Sequence, residues 1–342
     1  MSSATQTLRV LQYNLFLRPA LVSNPSQGDF KDARLEAFIA TVLNPGTYDV
    51  ILLQEVFSGI NVTSLCCLPP RRLNKLLAAA ASAGYHHNHK GPPASFGTFL
   101  DGGLLVLSKF PIIKKSTLTF QCPAAASDSL ASKGAIHALL ALPDSRLLDV
   151  FTSHTQASYE YTASEAIDRV QRKQIEELAT FIAASMEDRC CAVFGGDLNI
   201  DAQQDSTTGT YTFMMETMKN SSSFDRCEDL LLADEGGAHP DTSVPYSWDT
   251  VSGKEVVSGS YLGRSDVSAA IANANPKANA GIVRKAARYD YLLLLSKNRK
   301  DSASASLRKS KAEIKKFEQP AACPFMYLSD HFAVAGELEI DE

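Results

Sequence analysis

Short apolar runs that stop abruptly at polar or charged residues recur along this chain, and longer segments of helical period lie between them. That alternation is the strongest constraint on the fold, because it is the pattern of strands and helices interleaved in an α/β architecture. Strands are expected near 8–15, 49–54, 102–109, 134–142, 146–153, 191–196, 289–296 and 332–340. Residues 31–43 place Leu35, Phe38, Ile39 and Val42 on one helical face, and 71–83 is a Leu/Ala helix with a basic start. A longer helix is expected from Thr162, which has capping-box spacing to Glu165, to about Met186. Its buried stripe reads Ile167, Val170, Gln174, Ile175, Leu178, Phe181 and Ile182. Two segments break the pattern and read as long loops: 250–287, rich in Ser, Ala, Asn and Gly, and 297–318, rich in Lys, Arg and Ser. With no internal repeat and no strong boundary, residues 1–342 read as one domain.

Composition narrows the partners. A hydrophobic content of 45% suffices for a sizeable core, and a net charge of −5 argues against a surface built to hold nucleic acid. The stretch 297–318 departs from that balance, with eight Lys/Arg against three Asp/Glu, and reads either as a solvated loop or as a patch attracted to anionic lipid. Seven cysteines without a C-x-x-C spacing, Cys66 and Cys67 adjacent and Cys190 and Cys191 adjacent, fit reduced thiols. The first residues lack the charged start and apolar stretch of a secretory leader, so a cytoplasmic location is expected. No apolar run approaches the ~18–20 residues that span a bilayer, so a lipid substrate would be met from the water side.

The chemistry lies at the strand ends, where open α/β folds gather their sites. Six ends carry polar residues that a core would not select: Tyr13-Asn14, Gln54-Glu55, Ser153 to Gln156, Gly195 to Asn199, Tyr289 to Tyr291 and Ser329 to His331. Glu55 closes an apolar run with no basic partner in sequence, an arrangement that suits a cation. Oxygen ligands with few protein contacts favour Mg²⁺, with Asn14 offering an amide oxygen and Asp330 a second carboxylate. His331 follows a carboxylate at the start of the last strand and is the candidate general base, with Asp290 fixing its tautomer. His154 is the candidate donor to a phosphoryl oxygen. Two glycines before Asp197 read as a tight turn, with Asp197 and Asn199 projecting the same way to orient water and phosphate.

In this order, Asn14, Gln54-Glu55, Gly196-Asp197-Leu198-Asn199, Asp290-Tyr291 and Ser329-Asp330-His331 resemble the motifs of the endonuclease/exonuclease/phosphatase superfamily. Asp101-Gly102-Gly103 followed by Ser108 to Ile112, Ser132-Lys133-Gly134, Ser153 to Ala157 and Ser247-Trp248-Asp249 are further similar to its neutral sphingomyelinase branch. The resemblance implies a DNase I-like four-layer sandwich: two packed mixed β-sheets flanked by helices. It implies hydrolysis of sphingomyelin to ceramide and phosphocholine at a membrane surface, the alternative being another phosphodiesterase of the superfamily: an inositol phosphosphingolipid phospholipase C, a nuclease or a phosphoinositide phosphatase. A monomer is expected. Mg²⁺ on Glu55 with Asn14 nearby, substrate contacts from Asp101, Gly102, Lys133, His154 and Asn199, and water activation by Asp197 and His331 with Asp290 follow from it. Two departures stand out: Val56 to Gly59 lacks the asparagine that bacterial relatives use at an edge metal, and Pro320 to Tyr327 replaces their aromatic membrane hairpin. Membrane engagement is therefore expected from the Leu65 to Pro70 loop or the basic 297–318 stretch.

Overall fold

Alternation along the central strands decides the layers. In β1 (Gln6–Leu17) Leu8 and Val10 face one way while Leu11, Tyr13 and Leu15 face the other, and every one of these is buried, so the strand is covered on both sides. The computed structural model describes residues 6–19, 29–58, 71–94, 98–122, 126–143, 145–157, 164–221, 224–232, 239–244, 246–249, 254–257, 282–298 and 304–340.

One six-stranded sheet runs β14 (Leu307–Lys315), β15 (Ala333–Ile340), β1, β2 (Val50–Val56), β4 (Leu104–Ser108), β3 (His87–Gly91). The other six-stranded sheet runs β5 (Ile112–Thr119), β6 (Gly134–Ala141), β7 (Leu147–His154), β8 (Cys191–Asp197), β13 (Asp290–Ser296), β9 (Arg226–Asp229). Both are mixed: β1 pairs parallel to β2, and β7 parallel to β8, among antiparallel neighbours. Leu8, Val10, Val50, Leu52, Val106, Ile136, Val150, Val193, Leu292, Leu294 and Val334 fill the layer between the sheets. The outer face of the first sheet is covered by helices α1 (Lys31–Phe38) and α2 (Arg71–Ser82), and that of the second by α3 (Ser164–Met186) and Thr210–Ser221. This is the expected four-layer sandwich.

Gly195 explains how the sheets close. A Cβ there would lie 2.7 Å from Leu52 Cδ1 and 3.1 Å from Gln12 Cβ, so the glycine admits the opposite sheet just below the polar strand ends. The tight turn expected at Gly195-Gly196 is not there: β8 runs straight through both, and the reversal falls at Asn199, whose φ is 51°.

All eight expected strands and all three helices form, although Thr162 lies outside the described residues. The two expected loops are corrected. Within 297–318, Leu307–Lys315 is an edge strand paired along β15, and within 250–287 the strands β11 (Lys254–Val257) and β12 (Ile282–Lys285) flank β10 (Tyr246–Asp249) in a three-stranded sheet. An edge strand with one solvated face carries Lys and Arg without cost, which removes the apolar run that marks a strand in sequence. β5, with Lys114 and Lys115, and β3, with His87, His89 and Lys90, escape notice for the same reason.

Candidate active site

The inward faces of five strands change from apolar to polar at one end of the sandwich. Along β1 the inward positions read Leu8, Val10, Gln12, Asn14; along β2 Val50, Leu52, Gln54; along β7 Leu148, Val150, Thr152, His154. β8 ends on Asp197 and β13 begins on Asp290, paired directly across the ladder. Gln12, Asn14, Gln54, Thr152 and Asp290 have no exposed surface, so each must find a hydrogen bond within the protein.

They do so in one connected network. Gln12 Nε2 donates to Gln54 Oε1 (2.8 Å) and to Asp290 Oδ1 (2.9 Å), and Gln54 Nε2 donates to Thr152 Oγ1 (2.9 Å). The other oxygen of Asp290 lies 2.8 Å from His331 Nδ1, so the expected carboxylate–imidazole pair is present. Asp197 Oδ2 lies 3.7 Å from Nε2 of both His331 and His154, accepts from Asn14 Nδ2 at 2.8 Å, and its Oδ1 accepts from Asn199 N–H at 3.0 Å.

The two histidines are held in opposite states. Burial alone would lower the His331 pKa, but Asp290, Asp197 and Asp330 outweigh it and hold the ring well above the usual histidine range. Burial and then the Lys133 ammonium push His154 down to about 3. His154 Nε2 lies 3.0 Å from Lys133 Nζ and accepts from it, so the ring is a neutral imidazole. A neutral ring has no proton to transfer at neutral pH, while the hydrogen bond to a phosphoryl oxygen that is equally expected of His154 would come from its remaining N–H.

A second acidic pair sits beside this network. Burial, then the neighbouring Asp330 carboxylate, raise Glu55 above the usual carboxylate range, and burial raises Asp330 against the pull of His331, Arg18 and Arg34. Glu55 Oε1 accepts from Asn14 Nδ2 at 3.1 Å and Asp330 Oδ1 from Ser329 Oγ at 3.3 Å, which leaves lone pairs on both carboxylates to meet a cation. Asp197, Asp290 and His331 also offer ligand atoms within 4.8 Å of one another. Those carboxylates are already claimed by Gln12, His331, Asn14 and Asn199, so the Glu55/Asp330 pair fits a divalent cation better. Asn14 does not offer its oxygen as expected. That oxygen accepts from Phe16 N–H at 3.0 Å, while the amide nitrogen bridges Glu55 and Asp197; a flipped amide would face two carboxylates with its oxygen.

Four expected substrate residues make close contacts to protein. Lys133 Nζ reaches His154 Nε2, Thr155 O (2.6 Å) and Asp128 Oδ2 (3.0 Å), which accounts for all three of its N–H groups. Asp101 accepts from Ser58 N–H (3.0 Å) and Gly103 N–H (3.1 Å), bracing the loop that leaves Glu55. At Gly102 a Cβ would meet Pro92 Cδ at 2.3 Å and Ser132 O at 2.7 Å, so its close approach is to the protein itself. Asn199 Nδ2 donates to Thr155 O at 3.1 Å, so one of its amide hydrogens is engaged with the backbone.

Sequence reasoning missed Gln12, Thr152 and Thr242. The first two were legible, since each is a polar residue at an inward position of an otherwise apolar alternation. Thr242 carries no sequence signal, yet it ties the two catalytic-end segments together. Its Oγ1 accepts from Tyr289 N–H (2.9 Å) and Asp290 N–H (3.2 Å), and its carbonyl from Phe332 N–H (2.7 Å). Arg34 does comparable work below: fully buried, it donates to Leu15 O, Phe16 O and Leu328 O, joining the ends of β1 to the segment before Ser329.

The profile of the Endonuclease/Exonuclease/phosphatase family matches residues 11–254, and the chain belongs to that family. A sphingomyelinase of Dictyostelium discoideum is 28% identical over 232 residues, 57% of this chain and 49% of that protein, so the chain spans about half of that relative's length. Among solved structures, sphingomyelinase C from Streptomyces griseocarneus superposes with a TM-score of 0.59 at 20% identity, covering 97% of this chain and 99% of the other. Beta toxin from Staphylococcus aureus with bound magnesium ions gives 0.60 at 18% identity, over 97% and 99% of the two chains. A TDP2 from D. rerio in complex with single-strand DNA product gives 0.58 at 14% identity, over 97% and 98%. These likenesses between structures establish the shared sandwich.

Proposed function

We propose that this chain is a divalent-cation-dependent phosphodiesterase of the phospholipase C type, hydrolysing sphingomyelin to ceramide and phosphocholine. The observation that carries the reading is the Asp290–His331 pair, its free Nε2 turned toward Asp197 and set beside the Glu55/Asp330 carboxylates. The naming of the Dictyostelium relative and the sequence segments from Asp101 to Ile112 and Ser132 to Gly134 support sphingomyelin as the substrate.

Asp290 keeps a proton on Nδ1 of His331, so the neutral ring presents a basic Nε2. Water held between Nε2 and Asp197 attacks phosphorus in line with the ceramide oxygen. Its proton passes to Nε2 as the phosphorus–oxygen bond to ceramide breaks on the opposite side of phosphorus; the leaving alkoxide takes its proton from solvent, and the imidazolium gives its own back to solvent. Glu55 and Asp330 would hold Mg²⁺, whose charge offsets that of the phosphoryl oxygens. His154, Lys133 and Asn199 act as a braced wall that fixes Asp197. Because three carboxylates favour the imidazolium, the base form grows as pH rises, and activity should rise with it above the ordinary histidine range.

The deciding experiment is release of water-soluble headgroup from sphingomyelin in mixed micelles, with Mg²⁺ and with EDTA, beside His331→Ala. Metal-dependent release that the variant lacks is the expected result. Cleavage of single-stranded DNA with no release from sphingomyelin would retain the phosphodiesterase chemistry and sink the substrate.

A further inference from the structure

An enzyme that takes its substrate from a bilayer needs apolar surface at the mouth of its site, and neither the segment that replaces the relatives' hairpin nor the expected basic stretch supplies it. In the segment Pro320 to Tyr327, Phe325 and Tyr327 are buried in the core beside α1, with Phe325 packed on Phe30 at 5.8 Å and Tyr327 on Phe332 at 5.1 Å. Of the basic stretch, Arg308, Lys311 and Lys315 are engaged in ion pairs with Glu339 and Glu313 along β14 and β15. The Leu65 to Pro70 loop lies outside the described residues.

Among the described residues, three large apolar side chains are exposed: Phe99 (52%), Leu130 (43%) and Ile113 (56%). Isolated exposed apolar residues need no explanation, but two of these three are neighbours across a backbone contact. Phe99 N–H and Leu100 N–H both donate to Leu130 O, at 2.9 and 3.0 Å, and Leu100 pairs with Ala131 in a parallel bridge. Thr98 Oγ1 and Ser132 Oγ, 2.7 Å apart, close the same unit from the side. Phe99 precedes Asp101, which holds the loop leaving Glu55; Leu130 precedes Lys133, which holds His154. Two or three residues of chain reach at most about 10 Å, so both apolar residues lie within that reach of Asp101 and Lys133, which brace the segments carrying Glu55 and His154. Ile113 stands at the far end: in the pairing of β5 with β6, Thr119 meets Gly134 next to the site while Ile112 meets Leu140 at the opposite end of the strand.

We propose that Phe99 and Leu130 form an interfacial foot, which rests in the headgroup layer of a phospholipid bilayer and sets the active-site mouth against it. The occupant follows from the lipid substrate of the proposed function, on which this inference rests. A sphingolipid whose acyl chains stay in the membrane brings only its phosphodiester out to the site, so the rim around Asp101 and Lys133 must meet the bilayer, and this is where the exposed apolar pair lies.

The test compares the full chain with Phe99→Ser/Leu130→Ser and with Ile113→Ser. Each is assayed for co-sedimentation with vesicles of equal sphingomyelin and phosphatidylcholine, for hydrolysis of those vesicles, and for hydrolysis of a short-chain water-soluble sphingomyelin analogue. The expected result is at least tenfold weaker vesicle binding and hydrolysis in the double variant, with the soluble analogue cleaved as by the parent and Ile113→Ser unaffected. Vesicle binding by the double variant equal to the parent, or no binding by the parent, overturns the foot. Equal loss on soluble and vesicle substrates also overturns it, by making the pair structural. Binding that depends on the pair, without cleavage of either sphingomyelin, retains the foot and refutes the substrate assignment instead.

Discussion

Asp290→Asn tests the proton-handling reading most directly, because the structure dictates what the amide would do. Gln12 Nε2 donates to Asp290 Oδ1 at 2.9 Å, and that demand persists in the variant, so the amide keeps its oxygen toward Gln12 and turns its NH₂ toward His331. His331 Nδ1, 2.8 Å away, then becomes an acceptor and the ring proton moves to Nε2, the atom that must take a proton from water. The side chain is nearly isosteric, so folding should survive while the base is lost. Misassigning the tautomer of a catalytic histidine in this way costs about 10³–10⁴-fold in kcat, or roughly 4–5.5 kcal/mol of transition-state stabilisation. The assay is initial-rate headgroup release from mixed micelles at saturating Mg²⁺, with circular dichroism to confirm the fold. A variant within tenfold of the parent, at unchanged substrate concentration dependence, would show that the Asp290–His331 pair does not set the base and would refute the mechanism.

Glu55→Gln relieves the repulsion with Asp330, so in EDTA the variant should be more stable by about 0.5–2 kcal/mol, while losing both activity and the rise in Tm that Mg²⁺ gives the parent; a retained Mg²⁺ response in thermal melts would remove Glu55 from the metal site. His154 is neutral in the fold, with its pKa lowered to about 3, whereas an unfolded histidine charges near 6.5. Its contribution to stability is therefore complete above that value and is lost as pH falls toward 3, by up to about 1.4 kcal/mol per pH unit. Urea titrations across that range should show a shallower acid dependence in His154→Gln, and identical slopes would contradict the assignment. Thr242→Val removes the acceptor of the Tyr289 and Asp290 amides and should cut kcat by about 10–100-fold through misplacement of the carboxylate, with Thr242→Ser restoring most of it; a Ser variant as impaired as Val would assign the residue to packing alone.

The sequence by itself determined the central strands, the helices that cover them and the identity of most polar strand ends, because each of these is written in local periodicity. Apolar runs buried on both faces, such as Val50 to Leu53 and Tyr291 to Leu295, have one compatible environment, and a carboxylate or histidine placed where such a run stops has few structural uses. The tertiary structure alone decided partnership. The charge state of His154 depends on its burial between the packed layers and then on Lys133, 21 residues away in the chain, whose ammonium donates to Nε2. Whether Lys133, Asp101 and Gly102 face substrate or protein depends on loops that meet only when the sheets pack, and Asn14 turns its amide by the positions of Glu55 and Asp197 on two other strands. Edge strands such as β14 are likewise visible only in the sheet, since solvent on one side lets their residues be charged. Hydrogen bonds and charges act across a few ångströms of space irrespective of chain distance, so the chemistry of each site residue was set where the sheets met.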